Sequence, residues 1–298
     1  MRRRFFLIYN PAAGRDRRLF LETVVRHMET AGATIVRCQG TSADAARAEA
    51  SAAARSGQFD AVVAAGGDGT IRQAAIAVRE TACPLGALMI GTGNVLAHEL
   101  DLPRTPAEIA AMLMRGPAIE LELGVANGEP FLLMVGAGFD GRVIGHLNQS
   151  LKQRFARAAF GPATFSALRA PLDRLHVDVD GTTHACAWII VTNAARYGGS
   201  FQLTQRTSLR ERGLVAILFH ARTRAELVAQ AVALSRGQLD QRAVRDPGWV
   251  TMQACTRARI TAAHGVPVQI DGDSFGTTPL DIGVGGGQVH LIVPEVRK

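Results

Sequence analysis

The chain has 298 residues, 47% of them hydrophobic and 20% charged, with a formal net charge of +7. This length allows two modest domains or one large one, and the composition excludes a disordered chain. No run reaches the roughly 18 uninterrupted apolar residues of a membrane span.

Arg2-Arg3-Arg4 and the run Phe5 to Tyr9 imitate a secretory signal, but the run stops at Asn10-Pro11. It is too short for the apolar core of such a signal, so a buried first strand and a cytoplasmic protein are expected. Cys38, Cys83, Cys186 and Cys255 are scattered without CxxC spacing, which argues against zinc and a disulfide framework. The positive charge favours an anionic partner, yet nearly all of it is arginine, with only Lys152 and Lys298 as lysines. Charge alone gives no reason to expect nucleic acid.

The first 125 residues alternate strand and helix patterns. Phe5 to Tyr9 reads as a strand and Asn10 to Gly14 as a loop. Leu21, Val24, Val25 and Met28 then share one helical face. Ala33 to Arg37 is a second strand, and Thr41-Ser42 can cap a helix running to about Arg55. Phe59 to Ala65 is a third strand, followed by Gly66-Gly67-Asp68-Gly69-Thr70 and a helix with Ile71, Ala74, Ala75 and Val78 on one face. Leu85 to Ile90 is a fourth, ending in Gly91-Thr92-Gly93-Asn94. Such alternation predicts a mainly parallel sheet covered on both sides.

From about Glu120 short β-like runs dominate: Phe131 to Val135, Leu175 to Val179, Ala187 to Thr192, Val215 to Phe219, Ala258 to Ala262, Val266 to Ile270 and Val289 to Val293. Helical inserts are expected at about Leu147 to Leu172 and Arg224 to Gly237. The second half therefore reads as a mostly antiparallel β domain.

Three elements carry chemistry. The turn at Gly66 to Thr70 can bring backbone N–H groups and a helix N-terminus to a phosphate, although it also reads as a plain strand–helix turn. Gly91 to Asn94 follows a neighbouring strand, and parallel strands end at one sheet edge, where ligands bind. The loop Asn10 to Gly14 would be a third at that edge. No GxxxxGK[ST] is present, and Leu96 stands where a dinucleotide fingerprint needs its third glycine. Asp271-Gly272-Asp273 offers carboxylates that could accept an alcohol proton or hold Mg²⁺, although alone it reads as a hairpin turn.

In this order, Asn10-Pro11-Ala12-Ala13-Gly14, Gly66-Gly67-Asp68-Gly69-Thr70, Gly91-Thr92-Gly93-Asn94, Gly136-Ala137-Gly138-Phe139-Asp140, Tyr197-Gly198-Gly199 and Asp271-Gly272-Asp273 resemble the diacylglycerol kinase catalytic-domain family, which includes bacterial lipid kinases and sphingosine kinases. Gly-Gly-Asp-Gly alone is shared with NAD kinases and phosphofructokinases.

The resemblance implies an α/β nucleotide-binding domain over residues 1–124 and 280–298, and a β-sandwich-like lipid-substrate domain over 125–279, with ATP between them. It also implies an ATP-dependent lipid kinase that works with Mg²⁺ and meets its lipid at the inner membrane face. By the same analogy Asn10, Thr41, Gly66, Gly67, Asp68, Gly69, Thr70, Ile71, Arg72, Thr92, Gly93 and Asn94 would contact ATP. Asp273 would be the general base with Asp271 beside it, and Asp68 would orient the phosphates or Mg²⁺.

Three departures stand out. The family commonly has Glu where Asp273 stands, and Asp-Phe where this chain has Val95-Leu96. The acidic turn that can hold a structural metal in bacterial members reads Arg210-Glu211-Arg212-Gly213 here, so no structural metal is expected. The basic, Phe-bearing segment Leu151 to Leu175 reads either as a lipid-facing surface or as a packed helix with solvated arginines. A kinase of a soluble alcohol such as NAD and a nucleotide-binding protein of little turnover are the rival readings. A shared β edge could support a homodimer.

Overall fold

A computed structural model describes residues 1–9, 15–39, 43–91, 93–146 and 160–295. The expected loop at Asn10 to Gly14, Thr41, Thr92, and residues 147–159 of the expected helical insert lie outside them.

The chain divides into two compact units, residues 1–122 with 287–298, and residues 123–286. The first unit is built on β1 (Arg4–Tyr9), β2 (Thr34–Gln39), β3 (Ala61–Gly66), β4 (Leu85–Met89), β5 (Ala118–Glu122) and β20 (Gln288–Ile292). They lie in the order β2-β1-β3-β4-β20-β5, parallel throughout except where β5 runs against β20. Every residue of β3 is buried, as a strand covered on both faces requires.

Helices α1 (Arg15–Thr30), α2 (Ala43–Arg55), α3 (Asp68–Val78), α4 (Val95–Glu99) and α5 (Pro106–Arg115) complete this unit. Leu21, Val24, Val25 and Met28 of α1 are all buried, as their spacing predicts. So are Ile71, Ala74, Ala75 and Val78 of α3. That helix starts at Asp68, inside the expected loop, so the phosphate turn is shorter than the glycine pattern suggests.

The second unit holds two six-stranded antiparallel sheets. One has the order β10 (Thr182–Cys186), β9 (Leu175–Val179), β16 (Arg257–Ala262), β19 (Leu280–Gly283), β6 (Gly124–Ala126), β7 (Glu129–Phe131). The other has β15 (Val250–Cys255), β14 (Leu214–Phe219), β11 (Trp188–Thr192), β8 (Met134–Gly138), β17 (Pro267–Ile270), β18 (Asp273–Thr277). Val177, Val179 and Ile260 of the first sheet share one buried cluster with Ile189, Val191 and Ala216 of the second. This is a sandwich core. β9 alternates buried and exposed residues, whereas β14 is buried throughout. Helix α6 (Phe139–Gly145) packs on β8, β11 and β17. A short ribbon of β12 (Arg196–Tyr197) and β13 (Phe201–Gln202) and helices α7 (Phe160–Arg169), α8 (Arg224–Ser235) and α9 (Leu239–Arg245) complete this unit.

Two expectations are corrected. The chain does not return to the first unit at residue 280: Leu280–Gly283 pairs with β16, and Ile282 is buried in the sandwich core, so the return comes at Gly287. Phe131 to Val135 is not one strand. It breaks at Leu132 and Leu133, whose N–H groups serve a carboxylate from a distant hairpin turn instead of a ladder.

Candidate functional site

In the first unit Gly66 of β3 lies opposite Met89 of β4, so the turns that follow both strands leave the same sheet edge. Their backbones touch. A Cβ on Gly91 would sit 2.4 Å from the Gly67 Cα and 2.7 Å from Asn94 Oδ1, so only glycine fits there. Asp68, in the first turn of α3, reaches across: Oδ2 accepts the Val95 N–H and Oδ1 the Leu96 N–H, each at 3.1 Å. One carboxylate thus joins the two glycine-rich turns and caps α4, whose own N-cap residue makes no side-chain cap.

That N-cap residue, Asn94, has φ +48° and ψ +47°, a left-handed conformation Asn tolerates better than most residues. Its Oδ1 is buried and has no hydrogen-bond partner in the protein. A buried acceptor without a donor is costly. Beside it, the first-turn N–H groups of Gly69 and Thr70 lack intrahelical acceptors, and the α3 N-terminus carries partial positive charge. The edge fits a polar, anionic ligand such as a nucleotide phosphate. Of the expected ATP set, Ile71 turns its side chain into the core and donates its N–H to the Gly67 carbonyl. Arg72 is 8% exposed.

In the second unit Asp271 and Gly272 form the two-residue turn between β17 and β18, with φ +48° and +83°. Both left-handed values mark the type I′ hairpin that Asp-Gly favours. Asp271 serves the fold: Oδ2 accepts the Leu132 N–H at 2.7 Å, and Oδ1 accepts those of Leu133 and Met134 at 2.8 Å. This buried carboxylate stands where the chain passes from β7 in one sheet to β8 in the other. It is therefore a structural partner of three amides, not a second base beside Asp273. Asp273 opens β18 and is half-buried.

A third carboxylate was not predicted as a site residue. Asp140, in the first turn of α6, is 1% exposed. Tyr197 Oη donates to its Oδ1, and Gln269 Nε2 donates to its Oδ2 at 2.7 Å. Gly136 makes room: a Cβ there would lie 1.8 Å from Asp140 Oδ2. Burial pushes the Asp140 carboxyl up to about 6, against the pull of its two hydrogen bonds. Burial and the adjacent carboxylate push Tyr197 well above its ordinary value. Gln269 was overlooked. Its signal is a lone polar residue inside the run Val266 to Ile270.

The turn Arg210-Glu211-Arg212-Gly213 leads into β14 with its first three residues exposed. Among the described residues no cluster of three or more His, Cys, Asp or Glu is arranged to hold a metal. No helix among them is long and apolar enough to cross a membrane.

Residues 4–126 match the family described as Diacylglycerol kinase catalytic domain, and residues 133–293 match the YegS C-terminal NAD kinase beta sandwich-like domain. The chain is 26% identical over 301 residues to the Bacillus subtilis protein named Diacylglycerol kinase, covering 98% of this chain and 96% of that one. It is 29% identical over 242 residues to a Pseudomonas fluorescens protein named Probable lipid kinase YegS-like, covering 78% and 77%. A solved diacylglycerol kinase structure from Bacillus anthracis, 17% identical, has the same fold, with a TM-score of 0.69 over 98% of this chain and 97% of that one. The α/β unit that carries the glycine turns and the sandwich that carries Asp140 are thus each matched, and the chain belongs to the diacylglycerol kinase catalytic-domain family of kinases.

Proposed function

We propose that the chain transfers the γ-phosphate of ATP to the hydroxyl of a membrane lipid, diacylglycerol-like or sphingoid-base-like. The observation that carries this reading is the pair of glycine-rich turns in backbone contact at one sheet edge, joined by Asp68. The names of the relatives in Bacillus subtilis and Pseudomonas fluorescens support a lipid acceptor.

The N–H groups at the start of α3 would receive the phosphates, and Mg²⁺ would arrive with ATP as part of the substrate, neutralising charge on the transferring group. Asp273 would accept the acceptor's proton as its oxygen bonds to phosphorus. The bond to the β-phosphate oxygen breaks, and ADP leaves. The enzyme would meet its acceptor as a peripheral protein on the cytoplasmic side of the membrane.

The test is label transfer from [γ-³²P]ATP with Mg²⁺ to a panel of lipids in mixed micelles and to soluble alcohols including NAD. A labelled lipid is the expected product. A labelled soluble alcohol, or ATP binding with no labelled product, overturns the proposal in favour of a soluble-substrate kinase or a nucleotide-binding protein.

A further inference from the structure

We propose that Asp140 is a positioning residue, which sets the amide orientation of Gln269 and, through it, the turn that presents Asp273. This rests on the reading of Asp273 as the base of a phosphotransfer.

Gln269 is 2% exposed and uses both ends of its amide. Nε2 donates to Asp140 Oδ2 at 2.7 Å, while Oε1 accepts the Gly272 N–H at 2.8 Å. An amide can do this in only one orientation, because its nitrogen only donates and its oxygen only accepts. A carboxylate enforces that orientation, since it accepts at both oxygens: Oδ1 from Tyr197, Oδ2 from Gln269. Gly272 stands directly before Asp273, and Asp271 on its other side is held by three amides. Both ends of the turn are thereby fixed, one by Asp271 and one by the chain Tyr197–Asp140–Gln269.

A core position that served packing alone would be met more cheaply by an apolar side chain, since an ionised carboxylate is expensive to bury. Here the backbone is shaped to admit it, by glycine at 136. Arg142, two residues further along α6, pairs with Asp173, and the hydrogen bonds to the Asp140 carboxylate come from two neutral partners.

The discriminating substitution is Asp140→Asn. Its side chain fills the same space but offers one acceptor and one donor. If the acceptor stays with Tyr197, the donor faces Gln269 and competes with Gly272 for Oε1. Gln269→Leu breaks the same link from the other side. Tyr197→Phe removes a hydrogen bond from the same carboxylate yet leaves Gln269 oriented.

Two readouts are needed. Amide hydrogen exchange at Gly272 reports the turn whether or not an acceptor is known. Asp140→Asn and Gln269→Leu should each speed it at least about tenfold, and Tyr197→Phe should leave it near wild type. In the kinase assay the first two should lose roughly 10- to 100-fold in kcat, the scale of a small misplacement of a reacting group, with KM for ATP little changed. Wild-type protection at Gly272 in Asp140→Asn overturns the proposal, as does equal loss in Tyr197→Phe, which would mark the cluster as packing. A wild-type protein that labels no acceptor sinks the kinase reading, while exchange at Gly272 still decides whether Asp140 governs the turn.

Discussion

The two units make their polar sites from different material. In the first, the edge at Gly66 to Asn94 is mostly backbone: glycines in contact, first-turn N–H groups and one carboxylate joining two turns. In the second, side chains from α6, β12 and β17 meet around one buried carboxylate, and Asp271 takes three amides that the ladder leaves unpaired. Backbone sites suit phosphates, whose charge is spread over several oxygens and needs many donors. Side-chain networks suit a task in which one group must be held in one orientation.

If that contrast is right, the largest effect belongs to Asp271→Ala. It strands three backbone N–H groups in a buried setting, each worth about 1–3 kcal/mol, so a loss of at least about 3 kcal/mol is expected. Urea unfolding measures it. A loss under about 1 kcal/mol would mean the strand break at Leu132 and Leu133 does not depend on this carboxylate.

Asp273→Asn should behave in the opposite way. Turnover should fall by about 10²–10⁴-fold, the usual size of a general-base effect, while the unfolding midpoint barely moves. Full activity in that variant would remove Asp273 from the mechanism. Together the two substitutions separate the two acids of one Asp-Gly-Asp turn, which the sequence presents as equivalent.

That equivalence shows where sequence reading stopped. Local signals located both glycine turns, because strand–Gly–helix patterns are contiguous, and the 3.6-residue spacing in α1 and α3 named their buried faces. The runs at β9, β11 and β14 were found within a residue or so for the same reason, whereas β10, β12 and β13 between them were not. Asp68 and Asp271 looked like ligands because their partners, Val95 and Leu96 in one case and Leu132 to Met134 in the other, are 27 or more residues away. Gln269 and Asp140 are 129 residues apart, and only the meeting of β17 with α6 makes them neighbours. Small helices such as α4 and α6 went unread because one or two turns have too little periodicity to register.

Asp140 also gives the second unit a pH dependence of unusual sign. Its carboxyl is raised from 3.8 to about 6 on folding, so the folded state holds the proton more tightly than the unfolded chain. Its contribution is fully present below about pH 4 and is lost as pH rises through 6, a change of about 3 kcal/mol. Asp60 in the first unit and Asp180 in the second are held low, chiefly by backbone N–H donors, and lose stability as pH falls. They partly mask the Asp140 effect in the wild type. The difference between wild type and Asp140→Asn isolates it: relative to wild type, the variant should gain about 3 kcal/mol between pH 4 and pH 7. A flat difference curve would mean that Asp140 is not buried as a lone carboxylate.

The smallest effect expected is at Asp68, and it separates two roles. If joining the glycine turns is all that Asp68 does, Asp68→Asn keeps one acceptor and loses the other, at a cost of about 1 kcal/mol to the protein without nucleotide, because the two hydrogen bonds are only part-buried. Thermal unfolding in the absence of ATP would show this, and ATP affinity would weaken at every Mg²⁺ concentration alike. If Asp68 also orients Mg²⁺, the same loss of stability is joined by a loss in affinity that shrinks as Mg²⁺ is raised. The first pattern extends the parallel with Asp271, in which each unit uses one aspartate to hold two remote stretches of backbone together. The second would make Asp68 part of the phosphate chemistry as well.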